Sequence, residues 1–368
     1  MQLSLVRLFR KYSRTRPVVG KAVLCLFLSC AVFCCGGCST NKASDSPIAP
    51  PQPYTRIGHP DTNTVALQIA VRKLVPMRGK GPAVWLVGTS HVGETNYYAD
   101  LQTLLNGSTV VLYEGVNADV HKRRVRGGNN ELALTNPLKD KEAGSGKPEE
   151  ESIQQTLAHS LGLVFQLDAI DYDRSNFFNS DLSIQEIQKL MVAQGTNATT
   201  SVEGGGRGNS SFGYLMQVMD GSSFLGTVMK MGMQFMGSSP KLQAIAKLTL
   251  IETLGGLKGE LTDVKGLPED MKQLVKVLIE SRNKVVVEDL QAEARKVKNS
   301  GSLAVFYGTG HMQDMERRIT QTMKYKPAEE IWYTAFAVDT KKAKLSETEI
   351  QMVRNMVKWQ VDQLQKGE

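Results

Sequence analysis

The chain has 368 residues with 44 basic and 37 acidic side chains, a formal charge of +7 and a pI near 9.0. Six of the basic residues (Arg7, Arg10, Lys11, Arg14, Arg16, Lys21) precede residue 22 with no acid among them, and without them 38 basic side chains face 37 acidic ones. The excess of charge thus belongs to the leader, and the rest lacks the basic stripe that a phosphate backbone requires, so no nucleic acid is expected as a partner.

An apolar run from Ala22 to Cys35 follows the basic stretch. It is too short to span a bilayer as a helix, and basic flank, short apolar core and small residues together describe a secretory signal. Its end, Cys35-Gly36-Gly37-Cys38-Ser39, is similar to a bacterial lipobox, although Cys35 stands where Leu or Val is usual. Residues 1–37 are therefore expected to be removed and Cys38 to be acylated, anchoring an exported lipoprotein to a membrane facing the periplasm or the exterior. All five cysteines lie at or before Cys38, which leaves the folded part no thiol for a disulfide, a zinc site or a nucleophile. Residues 38–60, with Pro47, Pro51 and Pro53, read as a flexible tether, and 61–368 as one domain.

In that domain Trp85 to Val87 reads as a buried strand that runs into Gly88-Thr89-Ser90-His91. Asn96 to Leu105 reads as a helix stopped by Gly107, and Thr109 to Tyr113 as a second strand with Glu114 just past its end. Residues 117–150 mix charges, Gly and Asn and read as a surface loop. Ser152 with Gln155 forms a capping box for a helix to Leu161, and Leu163 to Ile170 reads as a strand followed by Asp171 and Tyr172. Between about 174 and 262 the chain turns helical, Met-rich and Gly-interrupted, which suits an insertion serving as adaptable core or as an apolar lid.

A long helix is expected from Pro268 to Ser300, with Arg282 on its apolar stripe between Leu278 and Val286, where an arginine needs a carboxylate or a ligand. Val305 to Tyr307 then repeats the earlier pattern, a strand that runs into Gly308-Thr309-Gly310-His311, 220 residues after His91. Glu330 to Val338 reads as an edge strand, and Ser346 with Glu349 as the cap of a final helix. Strands alternating with helices predict an α/β fold with a mainly parallel central sheet flanked by helices. Ligands gather at the carboxyl ends of such strands, where His91, Glu114, Asp171 and His311 are all expected. Two imidazoles and a carboxylate suit a hydrolytic metal site, so His91, Glu114 and His311 are candidate ligands for a divalent ion.

The strings VGTSHVGE, VVLYEGV, SRN at Ser281 to Asn283, and YGTGHM resemble the TraB/PrgY/GumN group, which includes the TIKI metalloproteases. The resemblance covers roughly residues 80 to 325. It implies the fold of erythromycin-esterase-like and ChaN-like proteins, with His91, Glu114, Arg282 and His311 as the site. Gly88, Gly308, Asp171, Tyr172 and Asn283 are expected around it. The animal members imply a metallopeptidase using Mn, Co or Zn on a peptide or protein substrate. Arg282 would then steady a developing oxyanion or the Glu114 carboxylate. ChaN-like relatives bind haem, so the alternative expectation is a lipoprotein that captures a peptide or haem-like ligand without cleaving it.

Overall fold

The structure, a computed structural model, describes residues 49–115, 152–193, 224–259, 269–297 and 301–366. The leader, Cys38 and the loop predicted over 117–150 lie outside these residues. The described fold takes in residues before the expected end of the tether at residue 60, beginning with the segment around Tyr54. Tyr54 explains the shift. Only 2% exposed, it stacks over the Arg72 guanidinium at 4.1 Å and donates its hydroxyl to Glu316 at 2.7 Å. Arg72 in turn donates to the backbone oxygens of Gln52 and Pro53, so a buried cation fixes the segment that prolines alone would have left extended.

The first strands are β1 (Thr55–Gly58), β2 (Thr64–Pro76), β3 (Ala83–Thr89) and the short β4 (Val92–Gly93). Helix α1 (Thr95–Asn106), β5 (Val110–Tyr113) and α2 (Ile153–Ser160) follow, the last opened by the predicted capping box of Ser152 and Gln155. Leu163 to Ile170 does not form a strand of the main sheet. It divides into β6 (Val164–Phe165), which pairs with β4 in a two-stranded sheet, and the one-turn α3 (Gln166–Ala169). The strand that joins the main sheet is instead β7 (Phe177–Asn179), within the range assigned to the insertion.

The helical region comprises α4 (Ile184–Ala193), α5 (Phe224–Gly237) and α6 (Pro240–Gly256). Helix α5 packs on α2 and α6, with Met233 buried and Met231 and Phe235 exposed. The expected long helix is three pieces in line: α7 (Glu269–Lys276), a π-helical turn over Val277–Ser281, and α8 (Arg282–Lys296). Strand β8 (Ser302–Gly308), α9 (Thr309–Thr322), β9 (Tyr325–Asp339) and α10 (Glu347–Lys366) complete the chain.

The sheet is mixed and ordered β9-β2-β3-β8-β5-β7, with β1 beside the first half of β2. Pairings of β3 with β8, β8 with β5 and β5 with β7 are parallel, and β2 runs against its neighbours, so six of the seven strands described in this sheet point one way. Alternate residues of a strand face opposite sides, and β8 shows the consequence. Phe306 packs with Ile69, Val87, Tyr98, Leu101 and Leu248 under α1, α2, α6 and α10, whereas Val305 and Tyr307 pack with Leu86, Val286, Leu290 and Met315 under α8 and α9. Each fully buried side chain of this kind contributes about 1.5–3 kcal/mol. The two core layers hold β3, β8, β5 and β7 in register, with their carboxyl ends along one edge.

Candidate functional site

The two glycine turns end neighbouring parallel strands. Gly88 pairs with Tyr307 and Thr89 with Gly308, so the copies stand side by side and one residue out of step. That offset separates the fates of the histidines. In the first copy the chain continues through Ser90 into β4, and His91 is an exposed loop residue whose carbonyl accepts from Gln166. In the second, Gly308 caps α9 and His311 sits in the first helical turn, 5% exposed.

Each of the four parallel strands delivers one ionisable residue at its carboxyl end: His91 after β3, His311 after β8, Glu114 after β5 and Asp181 after β7. Arg282, at the start of α8, lies against three of them. Its Nε and Nη2 donate to Asp181 at 2.8 and 2.7 Å, and Nη2 also donates to Glu114 Oε1 at 2.6 Å. Nη1 faces His311 Nε2 at 3.5 Å and the Leu278 carbonyl, across the π turn, at 3.4 Å. Such turns are frequent at functional sites, and here the wider turn lies directly before Arg282.

Asp181 also accepts from the backbone N–H groups of Gly115 and Leu182, at 3.0 and 2.7 Å. Burial raises its pKa, but with four N–H donors around two oxygens the group is a carboxylate. Glu114 accepts on Oε2 from the Gly308 N–H at 2.7 Å and keeps its Oε1 3.7 Å from His311 Nε2. Burial works to raise its pKa, yet the charges of His311, Arg282 and His91 with the Gly308 N–H outweigh it and bring the value down to about 2. His311 moves the other way from its usual state. Burial lowers it to about 4 despite the Glu114 charge, so at neutral pH the imidazole is uncharged and Arg282 is the cation beside Glu114.

Of the residues expected around the site, Gly308 and Asn283 are in it. Asn283 Oδ1 lies 2.7 Å from His311 Nδ1, and a Cβ on Gly308 would come 3.3 Å from Glu114 Oε2. Gly88 is a close-packing position, where a Cβ would come 3.2 Å from the Ala70 carbonyl oxygen. Tyr172 packs on Tyr113 and Phe306 at the sheet edge, accepts from Gln166 Nε2 at 2.9 Å, and feels the Glu114 charge. Asp171 is outside the site: it is exposed, pairs with Arg174 and caps its own turn at Asp173. The carboxylate expected there is supplied by Asp181, ten residues on, because β7 and not β6 enters the sheet. Sequence reading also missed Tyr307, whose ring meets His311 edge-on at 5.3 Å, and Asp314, which the i, i+3 spacing from His311 could have found.

A divalent ion held by Glu114 and His311 would need Oε1 and Nε2. As arranged, Oε1 is taken by Arg282 Nη2 and Nε2 faces Nη1, so a permanent cation stands where a metal would be and the residues do not fit one. Among the described residues, no group of three His, Cys, Asp or Glu is placed to hold a metal ion.

No protein-family model matches the chain, and no curated protein or solved structure matches it either.

Proposed function

We propose that this site is hydrolytic and acts on an amide, most simply a peptide bond, in keeping with the resemblance to the TraB/PrgY/GumN group and its TIKI metalloproteases. The observation that carries the reading is the placement of the buried His311, whose Nε2 faces Glu114 and the Arg282 guanidinium at the carboxyl edge of four parallel strands. A water at that edge would give a proton to Nε2 as it attacks the carbonyl. The imidazolium so formed is stabilised by Glu114 Oε1, 3.7 Å away, and Arg282 Nη1 is the donor available to the developing oxyanion. His91, exposed at the same sheet edge, is the group that would pass a proton to the leaving amine and regain one from solvent, while His311 releases its own to solvent.

A divalent ion at His91, Glu114 and His311 would require Arg282 to release Glu114, so the reading routes no step through a metal. Surface tethering belongs to the same proposal, supported by the signal pattern, Cys38 and a fold that starts shortly after it; no described helix is long and apolar enough to cross a membrane. The test is to incubate the protein with a complex peptide library, in chelator and separately in Mn, Co and Zn, and read new termini by mass spectrometry. Cleavage in chelator that is absent from Glu114→Gln and His311→Gln supports the reading. No new termini under any of these conditions, or cleavage that appears only with added Mn, Co or Zn, rejects it.

A further inference from the structure

His311 is held by a chain of hydrogen bonds that leads away from the reacting edge. The Asn283 side chain, fully buried, donates through Nδ2 to the His311 carbonyl at 3.2 Å and to Asp314 Oδ2 at 2.8 Å. Both partners can only accept, so the amide cannot be flipped without setting oxygen against oxygen. Its Oδ1 is thereby left for His311 Nδ1, 2.7 Å away, and an oxygen there obliges Nδ1 to be the protonated nitrogen. Asp314, 2% exposed, is kept acceptor-only by Arg318, at 2.5 Å to Oδ2, and by Arg317 on Oδ1. From the opposite side Arg282, which can only donate, faces Nε2. Two independent sets of contacts therefore agree on where the lone pair is.

We propose that Asp314, acting through Asn283, is a positioning residue that locks His311 as the Nδ1–H tautomer and keeps the Nε2 lone pair towards Glu114 and Arg282. Its effect on turnover rests on the hydrolytic reading; its effect on the tautomer does not.

The lock runs through one carboxylate oxygen: Asp314 Oδ2 accepts from both Asn283 Nδ2 and Arg318 Nε, and Oδ1 accepts from Arg317. Asp314→Asn can keep its oxygen at the Oδ2 place and turn its N–H2 to the half-exposed Arg317 side, so it should leave the tautomer as it is. Asp314→Leu removes the acceptor that orients Asn283, and Asn283→Leu removes the oxygen opposite Nδ1; each should release the ring.

The experiment is 15N NMR of the His311 side chain near pH 7.5 in the whole protein, with turnover on any peptide the wild type cleaves. Expected are a protonated Nδ1 in the wild type and in the conservative D314N, and in D314L a ring that populates the Nε2–H tautomer, with kcat lowered on the order of 10- to 100-fold at little changed KM. A wild type protonated on Nε2, or a folded D314L that keeps the proton wholly on Nδ1, overturns the proposal. Should D314L not fold, Asn283→Leu replaces it, and a ring still protonated wholly on Nδ1 overturns the proposal equally. Tautomers that behave as stated in a protein that cleaves nothing would reject the hydrolytic reading and leave this one standing.

Discussion

Arg282 and Asp181 form a two-pronged pair, with Nε and Nη2 at 2.8 and 2.7 Å from the two carboxylate oxygens, and the same Nη2 reaches on to Glu114. The guanidinium fork thus spends one edge on a fully buried carboxylate and uses what remains to orient the site. Removing either partner leaves a buried charge without its counterpart. Asp181→Ala should cost about 3–5 kcal/mol in denaturant unfolding, whereas the exposed Asp171→Ala should stay within about 0.5 kcal/mol of wild type. Equal effects of the two changes would show that the wrong carboxylate has been placed in the sheet.

Stability should fall on acidification in two adjoining windows. His311 has its folded pKa lowered from 6.5 to about 4, so between those values the unfolded chain binds a proton that the folded protein refuses. Glu114, lowered from 4.5 to about 2, adds a second loss as pH falls through that range. In both windows the unfolded state holds more protons, so the unfolding free energy rises with pH. The His311 part is on the order of 3 kcal/mol. His311→Gln should flatten the profile between pH 6.5 and 4 and also narrow the lower window, because the His311 charge is the largest of the influences that lower Glu114. A profile in the variant as steep there as in the wild type would contradict the assignment.

The two motif glycines should fail differently when changed to alanine. At Gly88 the added Cβ meets the Ala70 carbonyl oxygen at 3.2 Å and Ile69 at 3.3 Å, a backbone atom and a core side chain that cannot easily retreat. Gly88→Ala should therefore cost about 1–3 kcal/mol of stability. At Gly308 the nearest atom is Glu114 Oε2 at 3.3 Å, so Gly308→Ala should displace the carboxylate and lower kcat more than it lowers the unfolding midpoint. Thermal melts beside initial rates separate the two.

The start of the folded unit gives a fourth prediction. A version beginning at Thr55 loses Tyr54 and the carbonyls of Gln52 and Pro53 that Arg72 needs, and should be about 3–5 kcal/mol less stable than one beginning at Ala49. Matching stabilities would mean that the Arg72 cluster does not hold the segment.

What could be read from the chain alone was what leaves a local pattern. The strands at Trp85, Val110 and Val305 are apolar runs ended by glycine or glutamate, the caps at Ser152 and Ser346 recur as hydrogen bonds, and Arg282 betrayed its burial by falling on an apolar helical stripe. Strand β7 has three residues, too few for any period, and its loss from the reading moved the expected carboxylate from Asp181 to Asp171. The pairing of Arg282 with Asp181 spans 101 residues and has no signature in sequence. The start of the folded part was placed too late because Pro51 and Pro53 resemble a tether, while the buried arginine that holds the segment lies on another strand.

The most direct test of the hydrolytic account is the initial rate on a single defined peptide, measured in excess chelator for wild type and His311→Gln. With His311 as the base, the wild type should cleave without added metal and the variant should be slower by about 10²–10⁴-fold. Cleavage that survives unchanged in the variant, or a wild type that works only after Mn, Co or Zn is restored, would contradict it.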